Sequence, residues 1–479
     1  MPTLEAGRTT STPRPRRPPS GGADRRHRLT HRLVPELSAS ARARTPFDSF
    51  RAAYDQAAAT ATATRIKVGG AHDPSGGTVS VPVTVRTRIF GTIRGQVKLP
   101  FSGSGDTARV DWRPNLTFPG VDRGEALQRA TQLPTRATLL ARDRQVLAKG
   151  DDRATDLPGI APDIVGELGP IPPDQALQLR GLGYPDDARV GISGLERALQ
   201  TQLAGRPGGT LSVGARILGR SVARAAPPVV TTIDPKLERS AVNNLGGLNG
   251  GVAVIRPATG DVLALAGLAY SATGPPGSTF KLVTTTAALE AHKIRLSDTF
   301  PVESAALLSG VRLSNANGES CGGTFVEAFA ESCNSVFAPL GVKVGKQKLV
   351  QVAERYGFNE QPAIPGAAVS EMPQPSDIGD DLDLGSTAIG QGKVLASPLE
   401  MVSIAATIGN HGLRVKPHLL LGEGVQRARV TTPQVAATLR KLMIGVVKFG
   451  TGTAAGRERA DRRRRRSPTT SWRRRWGSN

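Results

Sequence analysis

Apolar and polar positions along this chain change period several times, and each change predicts a different element. An Ala-rich stretch from Phe47 predicts a short helix. Val79, Val81, Val83 and Val85 then alternate with Ser80, Pro82, Thr84 and Arg86, the period-two pattern of a half-buried strand. Val97, Leu99 and Phe101 repeat it, and Val110 with Trp112 opens it a third time. Gly-rich turns separate these runs, so an antiparallel meander is expected in a small α+β module over residues 47–132. A second unit, 133–228, opens with the strand-like runs 138–143 and 146–148, holds a polar helical stretch at 194–203, and ends at Pro227-Pro228, a boundary signal. A third, 229–456, starts with a strand at 229–233 and a helix at 235–245. Strands at 252–255 and 262–266 follow, joined by the turn Pro257-Ala-Thr-Gly260. Helices dominate from there to Gly412, and strands resume near Leu413.

Composition then narrows the classes. The 479 residues are 38% hydrophobic and 21% charged, enough apolar content for real cores. A net charge of +22 invites a nucleic-acid reading, but its distribution argues otherwise. Residues 1–46 hold ten Arg against Glu5, Asp24 and Glu36, and residues 457–479 hold ten Arg against Glu458 and Asp461. The charge therefore belongs mainly to the two ends. Residues 1–46, rich in Pro, Arg, Ser and Thr without apolar period, are expected to be disordered. The most apolar stretch, 250–270, is interrupted by Arg256 and Asp261 and falls short of a spanning helix. The basic N-terminal stretch holds no apolar segment of the signal-peptide kind. Two cysteines exclude a disulfide scaffold or a four-Cys zinc site, and the six His form no HExxH pattern. No metal or cofactor is expected.

The sharpest chemical signal is Gly274-Pro-Pro-Gly-Ser-Thr-Phe-Lys281. The Pro-Pro-Gly turn predicts a helix starting near Ser278, and residues 282–289 are apolar or small nearly all round, as in a buried helix. Ser278 and Lys281, three apart, then share a face. A serine hydroxyl needs a base to become a nucleophile. A lysine serves if burial and neighbouring positive charge lower its pKa toward neutrality. For a lone SxxK, an N-capping Ser with a surface Lys is the commoner arrangement. This SxxK is the only one in the chain and opens a buried helix, which favours chemistry. Ser332-Cys-Asn334 lies 54 residues on, after the capping-box pattern Thr324-Phe-Val-Glu327, placing Ser332 near a helix end. Its plain alternative is a helix-ending Ser/Asn turn.

Together these residues resemble the penicillin-binding and serine β-lactamase superfamily, whose motifs are SxxK, SxN and KTG. Further strings narrow the resemblance to class B penicillin-binding proteins of actinobacterial type. Val190-Gly-Ile-Ser-Gly-Leu-Glu196 and Arg142-Asp143 with Leu147-Ala148 resemble the dimerisation region. Thr231-Thr-Ile-Asp-Pro235 and Gly251-Val-Ala-Val-Ile-Arg-Pro-Ala-Thr-Gly-Asp-Val-Leu-Ala264 resemble the opening of the transpeptidase domain. Ala388-Ile-Gly-Gln-Gly392 and Ala396-Ser-Pro-Leu399 resemble a later block. The resemblance implies a multidomain α+β fold: a nuclear-transport-factor-like, cone-shaped domain (47–132), a dimerisation domain (133–228) and a transpeptidase domain (229–456). The last combines a helical cluster with an antiparallel sheet whose final strands are missing.

By the same resemblance Ser278 is the acylated nucleophile, Lys281 its general base and Ser332 a proton shuttle. Asn334 binds the substrate amide and orients Lys281, and the Ser278 N–H is half of an oxyanion hole. The implied substrate is a D-Ala-D-Ala stem peptide of peptidoglycan. β-Lactams are implied as inhibitors, and a membrane glycosyltransferase with other cell-wall machinery as partners. No specific nucleic acid is implied, and the implied place is the extracytoplasmic face of the cell membrane. Cys321 and Cys333 could form a disulfide outside the cell; equally, Cys333 could be a small buried residue.

The chain departs from the pattern in one respect. No Lys, Arg or His is followed by Thr-Gly or Ser-Gly, so the KTG motif is absent. The Gly450-Thr-Gly452 block resembles the segment preceding that strand, and the Arg-rich residues 457–479 match no family part. They are expected to be an out-of-frame or misassembled end, with activity impaired. A non-catalytic scaffold of the wall machinery is the alternative, and a nucleic-acid binder a distant one.

Overall fold

The computed structural model describes residues 36–455. The chain separates into two compact units, each drawn from several stretches of sequence. Among the described residues, the first comprises 36–134 with Ile171–Ala188 and Arg206–Arg224; the second comprises Thr135–Pro170, Arg189–Gly205 and 225–455. Residues 133–228 contribute stretches to both units. The 135–170 and 189–205 portions place Leu139, Leu147 and Leu199 in one core with Val262, Leu265 and Leu399. An apolar period reveals that a segment buries a face, not which core receives it.

The first unit realises the expected meander. Strands β1 (Ala63–Val68), β2 (Thr78–Thr87), β3 (Thr92–Ser102) and β4 (Arg109–Val110) form a four-stranded sheet in that order. β2 and β3 pair antiparallel, with Val81 opposite Val97 and Val85 opposite Ile93. That register puts the alternating valines on one face, where Val83, Val85 and Ile93 are buried with Phe90, Phe118 and Leu211. Helix α1 (Ala39–Arg44) precedes α2 (Phe47–Thr60). This corrects the expectation of disorder for residues 36–46. Leu37 and Ala41 are buried against Phe50, Trp112 and Leu116, and Ser38 caps α1 by accepting from Ala41 N. The remainder of that basic segment, like the Arg-rich residues 457–479, lies outside the described residues. A second sheet of this unit orders Arg216–Ser221, Gly208–Val213 and Leu127–Gln132.

In the second unit α3 (Pro235–Leu245) starts at Asp234, whose carboxylate accepts from Lys236 N and Leu237 N. It packs on the antiparallel pair β5 (Gly251–Ile255) and β6 (Val262–Gly267). The strand expected at 229–233 is shorter, Val229–Val230. The centre of this unit is α4 (Lys281–Glu290), with Val283–Ala288 buried on every side. Around it lie β7 (Thr299–Glu303), β8 (Ala305–Leu308), β9 (Val311–Ser314), β10 (Cys321–Thr324), α5 (Phe325–Ala330), α6 (Asn334–Val344), α7 (Asp381–Ala388), α8 (Pro398–Gly409) and α9 (Pro433–Phe449). Phe280, Phe325, Phe337, Tyr356 and Phe358 are the largest side chains sealed in this core. The single buried cation on α4 is Lys281.

Candidate functional site

The expected helix at Ser278 begins three residues later. Residues Gly277–Phe280 form a 3-10 turn and α4 proper starts at Lys281. The turn is tied down by backbone. Gly277 N donates to Gly390 O (2.8 Å), and Gly274 exchanges hydrogen bonds with Ala396 (3.1 and 2.9 Å). Gly390 must be glycine: its φ is +78° and a Cβ there would lie 2.0 Å from Gly277 O. Thr284 Oγ1 donates to Ala388 O (2.6 Å), so the Ala388-Ile-Gly-Gln-Gly392 string serves as the wall behind the Ser278 turn. Ser278 itself is exposed at the surface of the turn.

Lys281 points the other way, into the core. Its ammonium donates to Ser332 O (2.7 Å), Ser332 Oγ (2.9 Å) and Asn334 Oδ1 (2.8 Å). All three hydrogens are thereby committed, and none goes to Ser278. The Phe337 ring lies 5.2 Å from Nζ, a cation–π distance. Burial lowers the Lys281 pKa to about 7, because an ammonium withdrawn from water loses hydration that neutral amine does not need. The sequence reasoning asked for burial and neighbouring positive charge together; burial alone acts here.

Ser332 and Asn334 are held by the joint between α5 and α6. Thr324 and Glu327 form the expected capping box at the start of α5. α5 ends at Ala330, and Ser332 takes the left-handed conformation, φ +60°, which costs an ordinary residue about 1–2 kcal/mol. That reversal lets the Ser332 carbonyl and hydroxyl both face Lys281. Cys333 N donates to Ala328 O (3.0 Å), and α6 starts at Asn334. Cys321 and Cys333 are disulfide-bonded, with Cα atoms 5.7 Å apart, and Cys333 is also fully buried. The bridge ties β10 to the middle of the Ser-Cys-Asn triplet. The Gly450 block reaches the same joint: Thr451 N donates to Ala330 O (3.1 Å).

Three of the four sequence-selected residues, Lys281, Ser332 and Asn334, thus form one hydrogen-bonded cluster, and Ser278 stands one helical turn from it without a bond to it. Sequence reasoning missed the support. Asn334 Nδ2 donates to Ser314 O (2.9 Å), and Ser335 N donates to Asn315 Oδ1 (2.8 Å). Nothing in the Leu313-Ser-Asn-Ala-Asn-Gly318 string marks that role. Among the described residues no set of three or more His, Cys, Asp or Glu is placed to hold a metal ion. Among them, too, no helix is long and apolar enough to cross a membrane.

Comparison with known proteins follows the same lines. Residues 250–464 match the family model of the penicillin-binding protein transpeptidase domain. Peptidoglycan D,D-transpeptidase PbpA of Mycobacterium tuberculosis is 32% identical over 280 residues, 46% of this chain and 56% of the relative. The chain thus spans just over half the length of that curated relative. The crystal structure of PBPA from M. tuberculosis superposes with a TM-score of 0.52 at 27% identity, covering 66% of this chain and 82% of the other. Its penicillin G acyl-enzyme complex gives a TM-score of 0.51 at 27% identity over the same shares. The family is one of serine D,D-transpeptidases that form acyl-enzymes. The chain is accordingly an α+β protein with a transpeptidase domain of penicillin-binding type in its C-terminal half and a β-rich N-terminal region.

Proposed function

We propose that this chain, from its transpeptidase domain of penicillin-binding type, cross-links peptidoglycan stem peptides through an acyl-enzyme on Ser278. The observation that carries the reading is Lys281, a buried amine with pKa about 7 bonded to Ser332 Oγ and Asn334 Oδ1 one helical turn from an exposed serine. Near neutral pH a large fraction of Lys281 is unprotonated and able to take a proton. Of its three acceptors only Ser332 Oγ can also donate. When Lys281 is neutral, that hydroxyl can turn its hydrogen toward the nitrogen.

In this mechanism Ser278 Oγ attacks the carbonyl of the penultimate D-Ala while its proton passes to Lys281. The oxyanion is received by the Ser278 N–H and a second donor. Ser332 returns the proton to the departing D-Ala nitrogen as the C–N bond breaks, leaving an ester on Ser278. An amine of a second stem peptide attacks that ester, loses its proton along the same relay and frees Ser278. Asn334 orients Lys281 and holds the substrate amide. A β-lactam acylates the same hydroxyl by opening its ring. The residues at 47–132 act as a nuclear-transport-factor-like domain and those at 133–228 as the dimerisation region of a class B protein of actinobacterial type. The chain works at the extracytoplasmic face of the membrane beside a glycosyltransferase.

A second reading rests on one observation, the absence of any Lys, Arg or His followed by Thr-Gly or Ser-Gly. A domain without that strand's oxyanion donor, worth about 10²–10³ in rate, would serve as a binding scaffold. Labelling with a fluorescent penicillin separates the two. A covalent band that disappears in Ser278→Ala is expected. No band from the folded wild-type protein rejects the catalytic reading in favour of the scaffold.

A further inference from the structure

Asn315 lies outside the SxxK and SxN motifs, yet its side chain makes three hydrogen bonds, as many as the Lys281 ammonium. It is 6% exposed and follows β9 directly. Its Nδ2 donates to Glu303 O (2.8 Å), at the end of β7, and to Glu319 O (2.9 Å), ahead of β10. Its Oδ1 accepts from Ser335 N (2.8 Å), in the first turn of α6. Its own backbone N donates to Ser304 O (2.8 Å). The preceding carbonyl, Ser314 O, accepts from Asn334 Nδ2 (2.9 Å). One side chain therefore fixes three separated pieces of backbone, and the residue beside it holds the amide that faces Lys281.

We propose that Asn315 is a positioning residue for the Lys281–Ser332–Asn334 cluster, locking the β8–β9 hairpin to the start of α6 so that Asn334 presents Oδ1 to Lys281. The inference rests on the acyl-transfer reading above for its kinetic part. Asn334 has a single amide to satisfy two demands: Nδ2 on Ser314 O and Oδ1 on Lys281 Nζ. A shift of Ser314 relative to α6 breaks one of them. Ser335 N is one of the first N–H groups of α6, which have no partner within their own helix. Asn315 Oδ1 supplies that partner from outside, and so sets the place of α6 against the hairpin. The two donations to Glu303 and Glu319 hold the amide plane so that Oδ1 cannot turn away. An aspartate would keep the acceptor and lose both donors; an alanine would lose all three bonds.

The test compares the wild-type protein with Asn315→Ala and Asn315→Asp by two independent readouts. The first is the rate of acylation by fluorescent penicillin, split into non-covalent affinity and acylation rate. Misplacement remote from the reacting atoms can cost about 10²-fold, so Asn315→Ala is expected to lose about that much in acylation rate with affinity little changed. Asn315→Asp, which keeps the Ser335 bond, is expected to lose about tenfold. The second readout is the Asn334 side-chain amide in ¹⁵N NMR, expected to shift and to exchange faster with solvent in both variants. A lowered melting temperature with wild-type acylation and unmoved Asn334 resonances overturns the proposal. If Asn315→Ala does not fold, the same two readouts on Asn315→Asp decide it. If wild-type protein is not acylated at all, the catalytic reading fails, while the Asn334 resonances still test the positioning role.

Discussion

Two short turns meet at Lys281, and they are built in opposite ways. The turn carrying Ser278 is held to the rest of the domain by backbone, through Gly277 on Gly390 and Gly274 on Ala396, with Thr279 Oγ1 donating to Pro276 O inside it, and its serine is exposed. The turn carrying Ser332 is held through side chains as well. Lys281 takes both oxygens of Ser332, Asn334 is bonded on both sides, and Cys333 is bridged to Cys321. On the acyl-transfer mechanism proposed above, the difference matches the two tasks divided between the serines. A nucleophile must be reachable by substrate, so its hydroxyl is left uncommitted and its position comes from the main chain. A relay must stay in register with the base, so its hydroxyl is bound before substrate arrives.

The largest expected effect removes the group both turns share. Lys281→Met keeps bulk but abolishes the base, and fluorescent-penicillin labelling should slow by about 10²–10⁴-fold; an unchanged rate would end the division of roles. Next comes pH. Only the neutral amine accepts a proton, and burial brings Lys281 to about 7. The labelling rate should therefore rise about tenfold per unit below that value and level off above it. A profile flat between pH 5.5 and 8.5 would mean that Lys281 is not the base.

Substitutions at Ser332 sharpen the contrast. Ser332→Ala and Ser332→Gly both remove the hydroxyl and should slow labelling about tenfold, the value of one hydrogen bond at this strength. The two should differ in stability. With φ at +60°, glycine is relieved of strain that alanine keeps, so Ser332→Gly should be more stable than Ser332→Ala by about 1 kcal/mol and melt at a higher temperature. Equal melting temperatures would show that the reversed conformation carries no strain.

The smallest effect on labelling is expected outside both turns. Glu238 on α3 is fully buried, accepts from Leu265 N (2.8 Å), and has its pKa pushed up to about 7 by burial. Folded protein thus holds this proton more tightly than unfolded chain does, so the contribution is present at low pH. It is lost as pH rises from about 4.5 through about 7. Glu238→Gln should flatten the fall of melting temperature over that window and leave labelling near wild type. An equally steep fall in the variant would assign the slope to other groups, Glu400 first, whose carboxyl is also raised to about 7.

Much of the fold could be read where one periodicity governs one element. The β2–β3 valines alternate because one face of that sheet is buried, and α3 has Asp234 and Pro235 at its start and Gly246 at its end. Helix α1 was unreadable: six residues of Ala, Ser and Arg show no period, and their order comes from Trp112 and Leu116 across the chain. The 3-10 start before α4 was equally hidden, since it depends on Gly277 meeting Gly390, 113 positions away. The four candidate residues could be picked out because a serine three positions from a lysine, and a Ser-x-Asn triplet after a capping box, are local patterns; that Lys281 meets Ser332 and Asn334 could not.

Sequence alone therefore determined which residues are candidates for chemistry and many of the helices and strands that surround them, since spacing along a helix or strand converts directly into facing. The tertiary structure decided what no spacing contains. It chose which of two serines Lys281 binds, lowered that lysine's pKa by surrounding it with apolar side chains, closed the Cys321–Cys333 bridge, and appointed Asn315 to hold the joint. Each of these depends on segments far apart in the chain being brought together, and on the water excluded when they meet.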